Sequence, residues 1–218
     1  MKIQFDHQIF ASQRYGGISR YFYELVKGFD ALDDIRTDVS VLLSDNHYIS
    51  DKKHTNQKDF LSQQRFRGKY RIYKIVDKVY TIQQLKKQNF DIFHPTYYDT
   101  YFLKHIGETP FVLTVYDMIH ERFSEVIDPS DKTSIRKKLL VEKATKIIAI
   151  SQSTKNDLIK FFGTDESKIE VIYLGNSMFP ELQADTKLKT PNKYILFVGA
   201  RGGYKNFERF ITSIEFVM

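Results

Sequence analysis

The sequence contains no cysteine among its 218 residues. Disulfide bonds and thiolate metal sites are therefore excluded, and the absence is consistent with a reducing compartment. No stretch approaches the roughly 18 consecutive apolar residues that a membrane-spanning helix needs. The first ten residues, MKIQFDHQIF, begin like a β-strand and lack the apolar run of a secretory signal. We therefore expect a cytoplasmic protein.

Several catalytic and nucleotide-binding signatures are also absent. The sequence has neither G-x-G-x-x-G nor G-x-x-x-x-G-K-[ST], so it supports neither a dinucleotide-binding fingerprint nor a P-loop. The zinc-protease pattern H-E-x-x-H and the nucleophile elbow G-x-S-x-G are missing as well. The six histidines are scattered, without the spacing of metal ligands. We predict no metal site.

Charge is distributed unevenly along the chain. The formal net charge is +6, and residues 65–87 contain eight lysines and arginines against one acidic residue, Asp77. A basic segment of this kind is typical of proteins that meet nucleic acid, anionic lipid or phosphorylated substrates. Hydrophobic residues make up 42% of the chain and aromatic residues 15%, which is enough to build a folded core. The charge alone does not indicate whether the partner is nucleic acid, anionic lipid or a phosphorylated substrate.

Short apolar runs alternate with longer segments of helical periodicity. Several runs consist almost entirely of Ile, Val, Leu and Phe, as is typical of strands that are buried on both faces. The alternation predicts an α/β fold, with a Rossmann-like parallel sheet and helices on both of its faces. The predicted strands are 2–6, 38–43, 91–95, 111–117, 146–151, 169–173 and 194–199, and the predicted helices are 17–29, 60–88, 130–143, 153–162 and 205–216.

A polar stretch with two prolines, residues 177–193, interrupts the alternation. We predict a first domain over residues 1–175, a linker over 176–193 and the start of a second domain over 194–218. One strand and one helix cannot bury both faces of the strand, so the second unit is not a domain by itself. The expectation is a truncated chain, and docking of this unit on the first domain is the alternative.

Two turns that contain glycine join a predicted strand to a predicted helix. Gly16 and Gly17, in YGGISRYFYELV, allow a close backbone approach at a helix start, where unpaired N–H groups face an anion. An ordinary tight turn explains this pair equally well. The turn VGARGGYKNF adds Arg201 and Lys205, a forked cation and a point charge that suit phosphate oxygens. A basic solvated loop is the alternative there.

Polar side chains also follow two other predicted strands. In VLTVYDMIHE, Tyr116, Asp117 and His120 come at the end of a strand, where the histidine can titrate near neutral pH and the aspartate can orient it or a sugar hydroxyl. A helix start capped by Asp117, with a surface histidine, is the equal alternative. The loop DIFHPTYYDTYFL suits stacking against sugars or bases, although packing is the favoured interpretation. Its aromatic and polar residues are His94, Tyr97, Tyr98, Asp99 and Tyr101.

Five segments, taken in order, resemble retaining family 4 glycosyltransferases of the GT-B fold. The similarity is greatest to bacterial mannosyltransferase-like enzymes of polysaccharide assembly, and it covers residues 1–212. It implies the N-terminal half of a GT-B fold, which holds mainly the acceptor, followed by the start of the C-terminal domain, which holds mainly the nucleotide-sugar donor. The segments are YGGISRYFYELV, DIFHPTYYDTYF, VLTVYDMIHERF, ATKIIAISQSTKNDLIKFFGTDESKIEVIYLG and YILFVGARGGYKNFERF.

The resemblance also implies roles for individual residues at the donor diphosphate. Gly16 and Gly17 are expected to face the diphosphate from the N-terminal side. Arg201 and Lys205 match the basic pair that neutralises the same group as it leaves with negative charge. Ser151, in the segment ISQST, matches a loop that faces the cleft.

At the donor sugar the sequence departs from the family pattern. Tyr116 and Asp117 match a T-V-H-D element whose histidine contacts the donor sugar in many members, and Tyr116 stands in place of that histidine. Nearby His120 is the candidate to substitute for it or to serve the acceptor. The family's pair of glutamates, which holds the ribose and sugar of the donor, is not in the sequence. We therefore expect the chain to be inactive alone.

The expected function is transfer of a sugar, with retention, from a nucleotide-sugar donor to a glycan or lipid-linked acceptor, without a metal or other cofactor. Residues 62–89 would then form a basic amphipathic helix on the anionic inner face of the cytoplasmic membrane, and a solvated helix is the alternative. A non-catalytic half-domain that associates with another chain is the competing function. Nucleic-acid binding rests on charge and aromatic content alone and is not expected.

Overall fold

The computed structural model describes residues 1–49, 54–58, 66–176, 191–199, 201–202 and 205–217. The strands are β1 (Lys2–Phe5), β2 (Arg36–Val39), β3 (Ile92–His94), β4 (Val112–Val115), β5 (Lys146–Ala149) and β6 (Ile169–Val171). The helices are α1 (Gly17–Phe29), α2 (Lys69–Lys86), α3 (Ile119–Arg122), α4 (Thr133–Lys143), α5 (Gln152–Phe162) and α6 (Phe207–Val217). Short 3-10 helices lie at Tyr101–Lys104, Ser124–Val126 and Glu166–Lys168.

The strands pair in parallel, in the order β2-β1-β3 and β4-β5-β6. The two halves meet between β3 and β4, where Phe93 forms a single parallel bridge with Phe111 and its N–H donates to the Pro110 carbonyl at 3.1 Å. Together with the helices, this arrangement confirms the predicted α/β fold class. The direction in which strands are added reverses between β1 and β3, so the crevice between them is the switch point of the sheet, where open parallel sheets bind ligands.

Two hydrophobic clusters fill the two halves of the sheet. One surrounds Phe5 and Phe22, and the other surrounds Phe93 and Leu113, all four of which have no exposed surface. Tyr97 and Tyr116, from the loops after β3 and β4, pack against both clusters. These aromatic rings therefore join the halves at the weakly hydrogen-bonded seam.

Helix α2 is the long helix of the basic segment, and it packs one stripe of side chains inward. Its buried residues recur every four positions, which places them along one face of the helix. The predicted helix 60–88 therefore corresponds to α2, and residues 59–65 lie outside the described part of the chain. The buried stripe consists of Lys69, Tyr73, Asp77, Thr81 and Leu85.

Two predicted strands differ from the structure. β2 ends at Val39 rather than at residue 43, because the N–H groups of Leu42 and Leu43 donate to the Asp77 carboxylate at 2.8 and 2.9 Å instead of to a strand. The prediction for residues 194–199 was wrong. Within the described part of the chain no strand pairs with them and most of their side chains are exposed, and an apolar run needs a paired neighbour to become a strand.

His94, at the end of β3, is a buried titratable group in the core. Its Nε2 lies 2.9 Å from the Thr114 hydroxyl, and its ring packs on Phe5 and Phe22 with centroids 5.4 and 5.2 Å apart. Burial lowers the pKa of His94 from 6.5 to about 3. The folded state therefore holds a neutral imidazole over the whole range in which an unfolded histidine takes up a proton.

We predict that His94→Gln flattens the pH dependence of stability. Below pH 6.5 the unfolded wild-type chain binds a proton that the folded state rejects, so its free energy of unfolding falls as the pH falls. Between pH 8 and pH 4 the free energy of unfolding of the wild type should fall by about 2 to 3 kcal/mol more than that of the variant, as measured by urea unfolding. Parallel curves for the two proteins would contradict the buried neutral state.

Candidate functional site

The loops after β1, β3, β4 and β5 leave the sheet at one edge, because parallel strands present their carboxyl ends together. Most residues that the sequence singles out lie in these loops. Among the described residues, no group of three or more His, Asp or Glu side chains converges as a metal site does.

Asp6, directly after β1, joins the loops that follow β1 and β3. Its side chain has no exposed surface, and its Oδ1 accepts hydrogen bonds from the N–H and hydroxyl of Thr96 at 2.9 and 2.6 Å. Its Oδ2 accepts from Gln8 Nε2 at 2.7 Å and from the Tyr101 hydroxyl at 3.0 Å. Several donors to one buried carboxylate offset the cost of burying it. Asp6 thus fixes the two walls of the switch-point crevice to each other.

His7 is buried beside Asp6, and its network sets the position of its proton. The Thr81 hydroxyl lies 2.8 Å from His7 Nδ1 and can donate to the carbonyl of Asp77 at 2.8 Å or of Ser40 at 3.2 Å. On this basis we assign the proton to Nδ1, which leaves a lone pair on Nε2. Burial lowers the pKa of His7 below 6.5, so the ring is neutral at neutral pH. No described residue donates a hydrogen bond to Nε2.

A cavity of about 250 Å³, which we name the switch-point cavity, opens between these loops. Its walls come from the loop after β1, from α2, from the loop after β3 and from the start of α4. The favoured interpretation of the aromatic loop as packing is right for His94 and Tyr98, which are buried. Tyr98 nevertheless borders the cavity together with Tyr97 and Asp99 of the same loop. The lining used below consists of His7, Lys74, Lys78, Tyr97, Asp99 and Arg136.

Gly16 and Gly17 lie at the start of α1, where no side chain caps the helix. A Cβ on Gly16 would lie 2.0 Å from Gln13 Oε1, so the Gln13 side chain occupies the space that the missing Cβ leaves. Gly17 is exposed, and a Cβ there would meet nothing within 4 Å. The N-terminus of α1 is therefore open beside Gly17, as an anion site requires.

Tyr116 lies mostly inside the seam between the two halves of the sheet. Its ring makes edge contacts with Tyr21 and Phe22, at centroid distances of 5.8 and 6.5 Å. Its hydroxyl is buried and has no hydrogen-bond partner among the described residues. Burial raises the pKa of Tyr116 well above its usual value, so the phenol stays protonated. The tyrosine at this position is a packing residue with an unpaired hydroxyl.

Asp117 and His120 follow it around the short helix α3. Asp117 is exposed, and its Oδ1 accepts from the Ile119 N–H at 3.2 Å. The N-cap of α3 is Met118, without a side-chain capping bond, so the predicted N-cap role of Asp117 was wrong and its carboxylate instead forms a turn one residue before the helix. His120 is half-buried, with Nε2 3.4 Å from Asp131 and with a buried Nδ1 that has no partner among the described residues. It is not the freely exposed histidine of the alternative interpretation.

Lys137 of α4 anchors this segment. The lysine side chain has no exposed surface, and its Nζ donates to Glu121 Oε2 at 2.9 Å and to the Asp117 carbonyl at 3.0 Å. Its ammonium also lies 5.3 Å from the centre of the Tyr98 ring. The ion pair fixes the start of α4 against the loops that follow β3 and β4.

Ser151 begins α5 as its N-cap. Its Oγ accepts from the Thr154 N–H at 3.1 Å, and the Thr154 hydroxyl reaches the Tyr116 carbonyl at 3.4 Å. The structure therefore brings Ser151, Thr154 and Tyr116 together at the carboxyl ends of β4 and β5. For Ser151 the capping bond is the visible role, and a ligand role stays a prediction.

Arg201 and Lys205 lie in the C-terminal segment, beyond residues 177–190, which fall outside the described part of the chain. Arg201 is exposed and holds its guanidinium 5.2 Å from the centre of the Phe207 ring. That ring and Phe210 pack on Phe197 at 4.7 and 5.4 Å. The predicted pairing of these cations with a diphosphate stays a prediction, as does the boundary between the two domains.

Comparison with known proteins identifies the class. The sequence model of Glycosyltransferase Family 4 matches residues 15–176, which is well over half of the chain. The chain therefore belongs to glycosyltransferase family 4. A search of curated protein sequences finds no significant match.

Solved structures of Alr3699/HepE from Anabaena share the fold. The complex with UDP-glucose is 22% identical, with a TM-score of 0.50, and the match covers 81% of this chain and 44% of that one. The complex with UDP and glucose is 20% identical, with a TM-score of 0.48 and coverages of 81% and 45%. The chain thus spans less than half the length of these relatives, and the likeness shows one half of a GT-B fold.

Four of the cavity residues named above are missing from the sequence-based candidates. Lys74 and Lys78 counted only as part of the basic segment, and Arg136 lies in a helix whose contacts the sequence does not reveal. His7 had a usable signal, since it stands directly after the first strand in the same way that Asp117 stands after β4. Placing His7 in a site also requires the strand order, which sets β1 beside β3.

We predict that Asp6→Ala destabilises the fold by about 3 to 5 kcal/mol, because it leaves buried donors on Thr96 and Gln8 without an acceptor. Asp6→Asn keeps one acceptor oxygen and should cost about 1 to 3 kcal/mol. Asp33→Ala, at an exposed aspartate, is the control and should stay within about 0.5 kcal/mol of the wild type. Urea unfolding at pH 7 gives all three values. Equal losses for Asp6→Ala and Asp33→Ala would show that the crevice does not depend on Asp6.

Proposed function

We propose that the chain forms the acceptor side of a glycosyltransferase that moves a sugar from a nucleotide-sugar donor to a glycan or lipid-linked acceptor. The family match over residues 15–176 carries the proposal. The switch-point cavity, at the ligand-binding edge of the sheet, supports an acceptor site in this half of the fold. Retention of the anomeric configuration and a mannosyltransferase-like specificity belong to the same proposal.

For the donor we propose a nucleoside diphosphate sugar, with a uridine nucleotide as the first candidate, because Alr3699/HepE is solved with UDP and UDP-glucose. The uncapped start of α1 and the open space beside Gly17 support a place for the diphosphate there. Arg201 and Lys205 would neutralise the same group from the C-terminal domain. Full donor affinity then requires both domains.

At the donor sugar we assign hydrogen bonding to Asp117 and His120. Asp117 is exposed and retains carboxylate oxygen capacity beyond its contact with Ile119. His120 keeps a buried Nδ1 without a partner among the described residues. Tyr116 has its phenol inside the seam, so it positions the loop rather than the sugar. No metal ion or other cofactor is part of the proposed reaction.

The donor site is tested by phosphorus NMR of UDP-glucose with the 218-residue chain, a method that detects weak binding. We predict line broadening with the wild type and its loss with Gly17→Glu, because a carboxylate at the helix start repels a diphosphate. Gly28→Glu is the matched control, since Gly28 is also exposed in α1 with no atom within 4 Å of its Cβ position. It should broaden the signal as the wild type does.

Equal broadening by both variants would place the diphosphate away from α1. Absence of broadening with the wild type, for UDP-glucose and GDP-mannose alike, would contradict a donor contact in this half and favour the non-catalytic half-domain. With an active enzyme that contains this chain, proton NMR of the product reports whether the anomeric configuration is retained.

We also propose contact between residues 62–89 and an anionic membrane surface. Within the part of the chain that the structure describes, no helix has both the length and the apolar character that crossing a bilayer requires. α2 instead exposes an apolar stripe on the side opposite its buried one: Ile72 is 44%, Ile75 58% and Val79 52% exposed. Basic residues such as Arg71 and Lys86 flank the stripe. This arrangement suits a helix that lies in the interface of an anionic leaflet.

We predict that the chain sediments with vesicles rich in phosphatidylglycerol and remains in the supernatant with neutral vesicles. Ile75→Gln combined with Val79→Gln should lower the sedimented fraction at least threefold, because interfacial binding scales with buried apolar area. Ile135→Gln, which removes an exposed apolar residue of α4, is the control and should change nothing. Equal recovery in the supernatant with both kinds of vesicle would reject membrane contact.

A further inference from the structure

Positive charge outweighs negative charge around the switch-point cavity. Lys74 and Arg136 make no hydrogen bond or ion pair through their side chains with any described residue, whereas Lys78 lies 3.8 Å from Asp99 Oδ2. His7 is neutral there, because burial lowers its pKa. Among the residues that line the cavity, three cations therefore face one carboxylate, and two of the cations have no partner in the described part of the chain; the buried Asp6 carboxylate lies beside His7 in the wall. A cavity of this kind attracts an anionic group.

The remaining lining suits a neutral, hydroxyl-bearing ring. Tyr97 contributes a half-buried aromatic ring, packed on Tyr98 at a centroid distance of 4.7 Å. His7 presents the lone pair of Nε2, which accepts a hydrogen bond from a hydroxyl. At about 250 Å³ the cavity is smaller than most complete ligand sites, so it fits one sugar ring with a small substituent rather than a chain of sugars.

The walls of the cavity are held in place by buried polar contacts before any ligand arrives. Asp6 ties His7 and the loop after β3 into one hydrogen-bonded unit. The buried Lys137–Glu121 ion pair fixes the first turns of α4 and with them Arg136. The backbone of the cavity walls is therefore preorganised, whereas the exposed side chains of Lys74 and Arg136 become ordered when a ligand binds.

We propose that the switch-point cavity is the acceptor subsite and that it binds a glycosyl phosphate. The phosphate meets Lys74 and Arg136, and a hydroxyl of the sugar ring donates to His7 Nε2. Asp99, held near Lys78, accepts from a second hydroxyl. The acceptor role rests on the proposed glycosyltransferase function. Binding of the glycosyl phosphate to the cavity does not require the donor. The phosphate oxygens are the feature shared by a soluble sugar phosphate and a lipid-linked one.

Saturation-transfer NMR with the 218-residue chain tests the proposal. The probes are mannose 1-phosphate and glucose 1-phosphate, their neutral methyl glycosides and inorganic phosphate. We expect at least one glycosyl phosphate to bind at least tenfold more tightly than its methyl glycoside and than inorganic phosphate, because only it engages the cations and the ring contacts together. Equal affinity for inorganic phosphate would overturn the proposal, since it would show a surface that binds any anion.

Substitutions of lining residues test whether the glycosyl phosphate binds in the switch-point cavity. Lys74→Ala combined with Arg136→Ala should weaken the glycosyl phosphate about tenfold or more and leave the methyl glycoside unchanged. Lys104→Ala combined with Lys143→Ala is the matched control, because it removes the same net charge from exposed residues that do not line the cavity. Equal losses in the two double variants would mean that net charge, rather than this cavity, binds the probe.

Testing each set of variants with the other ligand distinguishes the acceptor subsite from the donor site. Gly17→Glu should leave glycosyl phosphate binding unchanged, and Lys74→Ala with Arg136→Ala should leave UDP-glucose binding unchanged. Loss of glycosyl phosphate binding in Gly17→Glu would place the probe on the donor side and contradict an acceptor subsite. If UDP-glucose fails to bind while the cavity variants still discriminate the probes, the donor proposal fails and the cavity proposal stands.

Histidine nitrogen NMR provides a readout that does not require a variant. The Nε2 signal of His7 should show an unprotonated nitrogen in the free chain and should shift on addition of the glycosyl phosphate. Binding without any shift at Nε2 would remove His7 from the site. An octyl phosphodiester of the same sugar identifies the source: tighter binding than the soluble phosphate indicates a lipid-linked acceptor, and equal binding indicates a soluble one.

Discussion

The buried Asp6 carboxylate is the constraint on which the crevice of this domain depends. A carboxylate without exposed surface is tolerated only where several donors surround it, and four of them come from residues on both sides of the switch point. Meeting that requirement positions the loop after β3 against the loop after β1. His7 and Tyr97 are thereby held on facing walls of a cavity, so a condition for folding also shapes the site.

The seam between β3 and β4 is the second determinant of the site. Among the described residues a single β-bridge joins the two halves, so side-chain packing at the carboxyl edge contributes much of the contact between them. Tyr116 packs against both hydrophobic clusters, and Lys137 links α4 to the loop after β4 from a fully buried position. A tyrosine can therefore occupy the position at which the family pattern has a histidine. Its ring is used for packing, and in the proposed function the polar contacts to the donor sugar are made by its neighbours Asp117 and His120.

The fold could be predicted from the sequence because its signals are local. Six of the seven strands and all five helices predicted from apolar runs and helical periodicity are present in the described part of the chain, whereas residues 194–199 form no strand there for lack of a paired neighbour. The cavity depends on strand order and on which face of α2 turns inward, and neither is local. Lys74 was visible as charge, but only the packing of α2 places it beside His7.

The basic segment shows why net charge alone does not define a function. α2 divides its cations among three environments. Lys69 is buried and paired with Asp45 at 2.8 Å, Lys74 lines the cavity, and Lys86 lies on the exposed side beside the apolar stripe. The positive charges of this one helix therefore contribute to packing, to the lining of the switch-point cavity and to the outer surface. If the acceptor is lipid-linked, the proposed membrane contact and the proposed phosphate site would both lie on this one helix.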